Sequence, residues 1–206
     1  MTDAPLTSER ILEAAQDVLR RFGPEKATVV DVARELGVSH GSVYRHFASK
    51  AALRDAVAEA WLHDISEPLA AVAGERRAAP RRLRRWLEQL IAAKRTRALE
   101  DPELFATYVQ LAGASREVIT THVETLVEQL AGIITDGVEQ GDFAVDDPEA
   151  AARAVFDATG RFHNPAHASE WSDPGIDAAF EHVLSLVLRG LGTGAQEPRR
   201  TAKSAR

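Results

Sequence analysis

The chain has 206 residues, 45% of them hydrophobic and 27% charged, so it is long enough and apolar enough to fold around a substantial core. It contains no cysteine, which excludes disulfides, thiolate metal sites and cysteine nucleophiles. Its net charge of −6 disfavours indiscriminate coating of nucleic acid but permits a small local contact surface. Because the start has no signal-peptide pattern and no apolar run is long enough to cross a bilayer, we expect a cytoplasmic protein with no membrane partner.

Apolar residues recur at helical spacing along nearly the whole chain, and no run alternates as a half-buried strand would. The sequence therefore predicts an all-α fold of about nine helices. Four of them occupy the first third, each beginning at a Ser or Thr that is able to cap its first turn. These four run from Thr7 or Ser8 to Gly23-Pro24, from Thr28 to Gly37, from Ser39 to about His46, and from Ser49 towards Val72.

The later helices begin at prolines or at Asp-Pro pairs, which suit a first helical turn. They are predicted from Pro80 to about Leu99, Pro102 to Gly113, Ser115 to about Gly141, Asp147-Pro148 to about Phe162, and Asp173-Pro174 to about Leu191. A boundary near residue 75 predicts an N-terminal domain over residues 1–55, connected by the helix over about 49–72 to a second domain over 75–195. Residues 196–206 have no apolar period and are expected to form a disordered basic tail.

Residues 28–47 hold two helices of about two turns each, joined by a turn that contains Gly37. This arrangement is typical of a helix-turn-helix, in which Ala33 and Gly37 are small where the helices cross. The apolar contacts between them are assigned to Val29, Val32, Leu36, Val38 and Val43. The outer face of the second helix, over about residues 39–46, is polar and suits a DNA major groove. The alternative is a tight helical hairpin with a solvated polar face.

The segment resembles the DNA-binding domain of the TetR family of transcriptional regulators across two helices, a turn and the start of the next helix. The resemblance covers about residues 7–55 and rests on Thr28-Val29, Asp31-Val32-Ala33, Gly37-Val38-Ser39, Gly41, Val43-Tyr44, His46-Phe47, Ser49-Lys50 and Leu53. It implies a regulator of transcription, by the family's habit a repressor, that binds double-stranded DNA at a palindromic operator.

By position, the resemblance also implies roles for individual residues. Phosphate contacts are implied for Thr28, Ser39, Tyr44, His46 and Lys50. Positions from which base edges are read, or at which backbones approach closely, are implied for His40, Gly41, Ser42 and Arg45. Arg45 is the strongest candidate for base discrimination, because a bidentate guanidinium separates base pairs by about 1–3 kcal/mol.

The family further implies a larger helical domain that forms a homodimer and holds a small-molecule effector. Broad apolar faces on the last two predicted helices favour a four-helix interface between two copies, with contacts from Ala152, Val155, Phe180, Val183, Leu184 and Val187. The alternative is that these faces cover the chain's own core.

An effector pocket is predicted from large apolar side chains with a few polar groups among them. The candidate lining residues are Trp86, Leu90, Phe105, Tyr108, Leu111, His122, Leu126, Phe156, Thr159, Phe162 and His163. Such residues at helical spacing are also typical of plain core.

Other functions find less support in the sequence. His163 and His167 are four residues apart, but Pro165 disfavours one continuous helix, so we expect no metal and no cofactor. No phosphate loop, nucleophile elbow or His-Glu-x-x-His motif is present, so we expect no enzyme. The arginines between Arg76 and Arg85 indicate a solvated basic face, or else a support for DNA or an anionic ligand. The rival interpretation is a helical binding protein or enzyme whose helix-turn-helix does not bind DNA.

Overall fold

The computed structural model describes residues 5–192, and the predicted basic tail over 196–206 lies outside them. Within the described residues the fold is all-α, as the sequence predicts, with ten α-helices and one 3-10 helix. The helices are α1 Ser8–Lys26, α2 Val29–Glu35, α3 His40–Tyr44, α4 Lys50–Ala73, α5 Ala79–Glu100, α6 Pro102–Ala114, α7 Arg116–Glu139, α8 Pro148–Ala158, α9 Gly160–His163 and α10 Ile176–Gly192, with the 3-10 helix at Pro165–Glu170. No helix in this range combines the length and hydrophobicity that a bilayer crossing requires.

Local capping explains where the first helices begin. The Thr7 side chain accepts from the backbone of Arg10 at the start of α1. Ser39 and Ser49 cap α3 and α4 in the same way, each accepting from a backbone N–H three residues on. Within α1, Gly23 has φ 74° and breaks the regular helix before Pro24, where the sequence predicts the end.

Two later boundaries differ from the prediction. The helix expected to reach Phe162 ends at Ala158, and α9 follows it as a separate turn. The hydroxyl of Thr159 donates to the carbonyls of Val155 and Phe156, and such back-bonding bends helices. The last helix begins at Ile176 rather than at Pro174, because a turn precedes it in which the Ile176 N–H donates to the Asp173 carbonyl at 3.1 Å.

The apolar side chains form two clusters that share α4. The first joins α1, α2, α3 and the start of α4 to residues of α6, including Tyr108 and Leu111. The second joins the later half of α4 to α5, α7, α8 and α10. Trp61, in the middle of α4, packs against both clusters. The helix α4 therefore connects the two clusters.

The residues predicted to meet a second copy are mostly used inside the chain. Ala152, Val155, Phe180 and Leu184 are buried within the second cluster of the chain itself, and their contact with a second copy stays a prediction. An apolar helical stripe looks the same in sequence whether it covers the chain's own core or a partner. The other two predicted residues, Val183 and Val187, are half-buried and pack at the edge of that cluster.

The arginine-rich start of α5 is not uniformly a solvated face. Arg82 is 2% exposed and donates to the carbonyl of Ala73 at 2.6 Å and to the carboxylate of Asp136 at 2.8 Å. It therefore connects α4, α5 and α7 from within. The neighbouring Arg84 is partly exposed and pairs with Glu181 at 2.6 Å, which links α5 to α10.

Candidate functional site

The turn between α2 and α3 is held by backbone geometry and by apolar packing. Gly37 has φ 68°, a left-handed conformation that glycine adopts readily. The next N–H, of Val38, donates to the Ala33 carbonyl at 2.9 Å and closes the end of α2. Val43, 1% exposed, anchors α3 in the first cluster with Val32 and Ala33. With the inner side of α3 fixed in this way, its other side faces solvent.

The outer surface of α3 is a short polar network. The hydroxyls of Ser39 and Ser42 lie 2.9 Å apart, and Nη2 of Arg45 donates to the Ser42 hydroxyl at 3.1 Å. His40 meets Tyr44 edge to face, with ring centroids 6.3 Å apart. Tyr44 is 43% exposed, so its ring lies on the surface rather than in the core. Donors, acceptors and an aromatic ring are thus displayed together on one exposed helix.

Residues outside α3 extend this surface. Thr28 forms the predicted capping box, in which its hydroxyl accepts from the Asp31 N–H at 3.2 Å and the Asp31 carboxylate accepts from the Thr28 N–H at 3.1 Å. Contact with the Thr28 hydroxyl lowers the pKa of Asp31, which keeps it ionised. His46 lies 3.3 Å from the Ser8 hydroxyl, and Lys50 is exposed at the start of α4.

The charges on this surface leave cations available. Within residues 5–192, Arg45 and Lys50 have no carboxylate partner, whereas Arg34 is held by Asp31 at 3.0 Å. Gly41 is exposed and presents bare backbone on the same surface. The structure therefore brings together all nine residues that the resemblance implies for DNA contact, in one region formed by α2, α3 and the start of α4. What they touch stays a prediction.

Comparison with known proteins is decisive for the family. The profile described as "Bacterial regulatory proteins, tetR family" matches residues 11–57, and that described as "Tetracyclin repressor-like, C-terminal domain" matches residues 79–184. The chain belongs to the TetR family. It is accordingly a DNA-binding transcriptional regulator, and the helix-turn-helix just described is the family's N-terminal module.

Relatives and solved structures agree with this TetR-family membership. The chain is 26% identical to the HTH-type transcriptional repressor KstR2 of Rhodococcus jostii, covering 89% of this chain and 90% of that one. It is 28% identical to the class A tetracycline repressor protein from transposon 1721 of Escherichia coli, covering 90% of each. SmeT, the repressor of the Stenotrophomonas maltophilia multidrug efflux pump SmeDEF, has the same fold, with a TM-score of 0.66, 19% identity and 94% of each chain covered.

The helices that follow the TetR-family DNA-binding module line a partly open cavity of about 590 Å³. This volume lies within the range of about 300–1,000 Å³ that is usual for small-molecule sites. Its wall comes from α4 to α9 and is mostly apolar, with Trp61, Leu62, Val109, Ala112, Ile119, Val123 and Phe156 alongside Lys94, Asp157 and His163. Trp61 also stacks on Tyr108 at 4.9 Å, which fixes one side of the wall.

The predicted effector residues are spread over several places. Phe156 and His163 line this cavity, with their rings 4.6 Å apart. His122 lines a neighbouring cavity of about 460 Å³, which shares Leu62 with the first. Phe105 and Tyr108 line a third of about 270 Å³. The remaining candidates line none of these three cavities. Thr159 is buried and its hydroxyl donates to the Val155 carbonyl. The others are buried core residues: Trp86, Leu90, Leu111, Leu126 and Phe162.

The two histidines near Pro165 have separate partners. The His163 Nε2 lies 3.2 Å from both the Phe156 carbonyl oxygen and the Thr159 hydroxyl. His167 instead pairs with Glu170 at 2.7 Å. Among residues 5–192 no three histidine, aspartate or glutamate side chains group closely enough to hold a metal ion.

Burial sets the protonation of the groups around the cavity. Burial first, and then the charge of Lys94, lowers the pKa of His122 and of His163 to about 3, so both rings are neutral near pH 7. Burial lowers the pKa of Lys94 to about 8, which leaves its ammonium mainly protonated at that pH.

Sequence reasoning missed several wall residues, chiefly Trp61 and Lys94. A signal for Lys94 existed, because it continues the apolar stripe of α5 at helical spacing from Leu83, Leu87 and Leu90. A lysine on such a stripe is buried, and a buried ammonium without a carboxylate partner is unusual enough to mark a site.

Proposed function

We propose that the protein is a homodimeric repressor that binds a palindromic operator through α3 and is released when a small molecule enters the cavity of about 590 Å³. In this proposal residues 1–55 form the DNA-binding unit, and the helices after residue 75 form the effector and dimer unit. The observation that carries the proposal is the exposed polar surface of α3, on which Arg45 has no carboxylate partner within the described chain.

Docking in a major groove follows from the shape and chemistry of α3. The groove admits one helix, and the N-terminal residues of that helix reach the base edges. On α3 these residues are His40, Gly41 and Ser42, with Arg45 one turn further on. Thr28, before α2, and Lys50, at the start of α4, are exposed, and phosphate contacts from them would fix the position of the helix without reading sequence.

The outer faces of α8 and α10 support the proposed dimer. Leu186 on α10 is 62% exposed, and the half-buried Val183 and Val187 lie on either side of it in the chain. On α8 the small residues Ala154 and Ala158 are exposed and would permit close approach of a second helix. Two copies joined through these faces would carry two recognition helices, which a palindromic operator requires at a separation of about 34 Å.

The connection between cavity and DNA surface supports release by an effector. Lys50 begins α4 at the DNA surface, and Leu62 lines the cavity about 18 Å further along the same helix. Ala112 on α6 lines the cavity and also packs in the first cluster with α1. An effector that shifts α4 or α6 would therefore move the recognition helices and favour a conformer that cannot engage both half-sites.

The experiment is a fluorescence-anisotropy titration of the full chain against duplex DNA from upstream of its own gene, compared with scrambled DNA. Arg45→Ala is expected to weaken operator binding by about tenfold or more and to reduce the preference over scrambled DNA. The matched control is Arg81→Ala, which removes the same charge from an exposed arginine of α5. Equal affinities for wild type, Arg45→Ala and Arg81→Ala would overturn the assignment of this surface.

The dimer is tested separately by sedimentation equilibrium. Leu186→Glu is expected to convert the dimer into monomers, because it places a charge at the centre of the proposed interface. Leu99→Glu, at a leucine of α5 that is 56% exposed, is the matched control and is expected to leave the dimer intact. A dimer unaffected by Leu186→Glu would show that α10 is not the interface.

A further inference from the structure

Lys94 is the most unusual residue of the cavity wall. Its side chain lines the cavity from α5, and the residue is only 7% exposed. It has no carboxylate partner and no hydrogen bond within residues 5–192. Burial of most of this side chain removes hydration from its ammonium, which is costly when neither an ion pair nor a hydrogen bond compensates.

Within the described residues no carboxylate is paired with Lys94. The other elements of the wall contribute His163 from α9 and Asp157 from α8, while His122 of α7 lies close enough to interact with the lysine charge. Both histidines are neutral near pH 7. Asp157 is exposed, and no ion pair joins it to Lys94 in the described chain. The positive charge in the wall therefore faces a largely apolar cavity.

A second polar group nearby is also without a partner. Nε2 of His122 is fully enclosed and makes no hydrogen bond in the described chain. Most of the cavity wall beside Lys94 is apolar and includes Leu62, Ile119 and Val123. One cation beside an apolar surface is complementary to a molecule with one anionic end and an apolar body.

We propose that the effector is an amphipathic carboxylic acid, whose carboxylate pairs with the ammonium of Lys94 and whose apolar body lies against Leu62, Val123 and Phe156. This inference rests on the proposed function, since it names the class of molecule that fills the same cavity. The acid replaces the lost hydration of Lys94 with an ion pair, and in a buried site such a pair is stronger than at the surface. Occupancy of the site therefore removes the cost of the unpaired charge at the same time as it buries apolar surface.

The test compares acids with their neutral counterparts in isothermal titration calorimetry on the full chain at pH 7. The probes are octanoate and 4-phenylbutanoate, each set against the alcohol of the same skeleton, 1-octanol and 4-phenylbutan-1-ol. We expect at least one acid to bind about tenfold or more tightly than its alcohol. Lys94→Met is expected to weaken binding of that acid by about 30-fold or more, while the affinity for the alcohol stays within about threefold of the wild-type value.

Lys94→Met is a suitable variant because it keeps an unbranched side chain of nearly the same length and removes a buried unpaired charge, so the fold is expected to become more stable. Lys26→Met, at an exposed lysine of α1, changes the net charge equally and is expected to leave acid binding unchanged. The inference is overturned if neither acid binds at concentrations up to about 5 mM, if the alcohols bind as tightly as the acids, or if Lys94→Met binds the acid as wild type does.

Operator binding, measured on the same samples, separates this inference from the proposed function. A chain that binds operator DNA and fails the acid tests loses the carboxylate assignment and keeps the regulatory one. A chain that binds the acids but no DNA keeps the carboxylate assignment and loses the proposed function. A chain that binds both, and releases the operator with the acid but not with the alcohol, supports both.

Discussion

Replacement of Gly41 by alanine is expected to change stability and DNA binding in opposite directions. Gly41 lies within α3 and does not have a positive φ, so alanine fits its backbone. A Cβ at this position would meet only the Ser39 Oγ, at 3.7 Å, which is an ordinary van der Waals contact. Alanine loses less conformational freedom than glycine in a helix, so Gly41→Ala should raise the free energy of unfolding by about 0.5–1 kcal/mol.

On DNA the same methyl group is expected to be unfavourable. It projects from an exposed residue in the first turn of α3, where the proposed complex brings the helix backbone close to the groove. Displacement of α3 would lengthen the contacts from its neighbours, and loss of a single good base contact costs about 1–3 kcal/mol. We therefore expect operator affinity to fall by about tenfold or more, although the folded protein is more stable.

The two effects are measured on one preparation, by urea denaturation and by fluorescence anisotropy with operator DNA. Gly132→Ala is the matched control, because a Cβ added at this exposed glycine of α7 would meet no atom within 4 Å. It should gain similar stability with unchanged DNA affinity. Wild-type affinity in Gly41→Ala would refute a close approach of α3 to DNA, and a loss of stability would refute the helical account of this residue.

Three further predictions concern charge. Lys50→Ala should weaken binding to operator and to scrambled DNA alike. It should also make the negative slope of log affinity against log salt concentration less steep by about 0.9, measured by anisotropy at several salt concentrations. Arg82→Met should lower the free energy of unfolding by about 1–3 kcal/mol in denaturant titrations, because the Ala73 carbonyl loses its donor. Burial lowers the pKa of Lys94 from the ordinary value of 10.5 to about 8 in the folded chain. Between these two pH values the unfolded chain binds more protons than the folded chain, so the free energy of unfolding should rise with pH across this window. Lys94→Met should abolish that rise in denaturant titrations between pH 7 and about pH 10, whereas an identical rise in the variant would place the titrating group elsewhere.

The helical fold and the helix-turn-helix were predictable because their signals are local. Thr28, Ser39 and Ser49 each cap a helix in the predicted place, and Gly37 adopts the left-handed turn. The inward side of α3 was equally predictable, because Val43 continues the apolar contacts of α2. Helix boundaries that depend on side-chain hydrogen bonds, such as the end of α8 at Thr159, were not predictable from local signals.

Tertiary features were less accessible from sequence. Ala152 and Leu184 belong to stripes that pack inward, and periodicity does not reveal which surface covers a stripe. The cavity forms where packing among several helices is incomplete, so Trp86 and Leu90 fill the core although they resemble pocket residues. Among the residues of the cavity wall, Lys94 carried a local signal, as a charged residue on an apolar stripe.

The most direct test of the central claim maps the protein surface that faces DNA. Since the chain has no cysteine, a single one introduced by His40→Cys on α3 can carry an iron chelate that cleaves nearby DNA. Thr135→Cys, at an exposed residue of α7 outside both proposed surfaces, carries the same chelate as the control. Two groups of cleavage sites in the operator, about 10 base pairs apart, are expected from the α3 probe and none from the α7 probe. Cleavage from the α7 probe, or none from the α3 probe on a bound operator, would contradict the proposed contact of α3 with DNA.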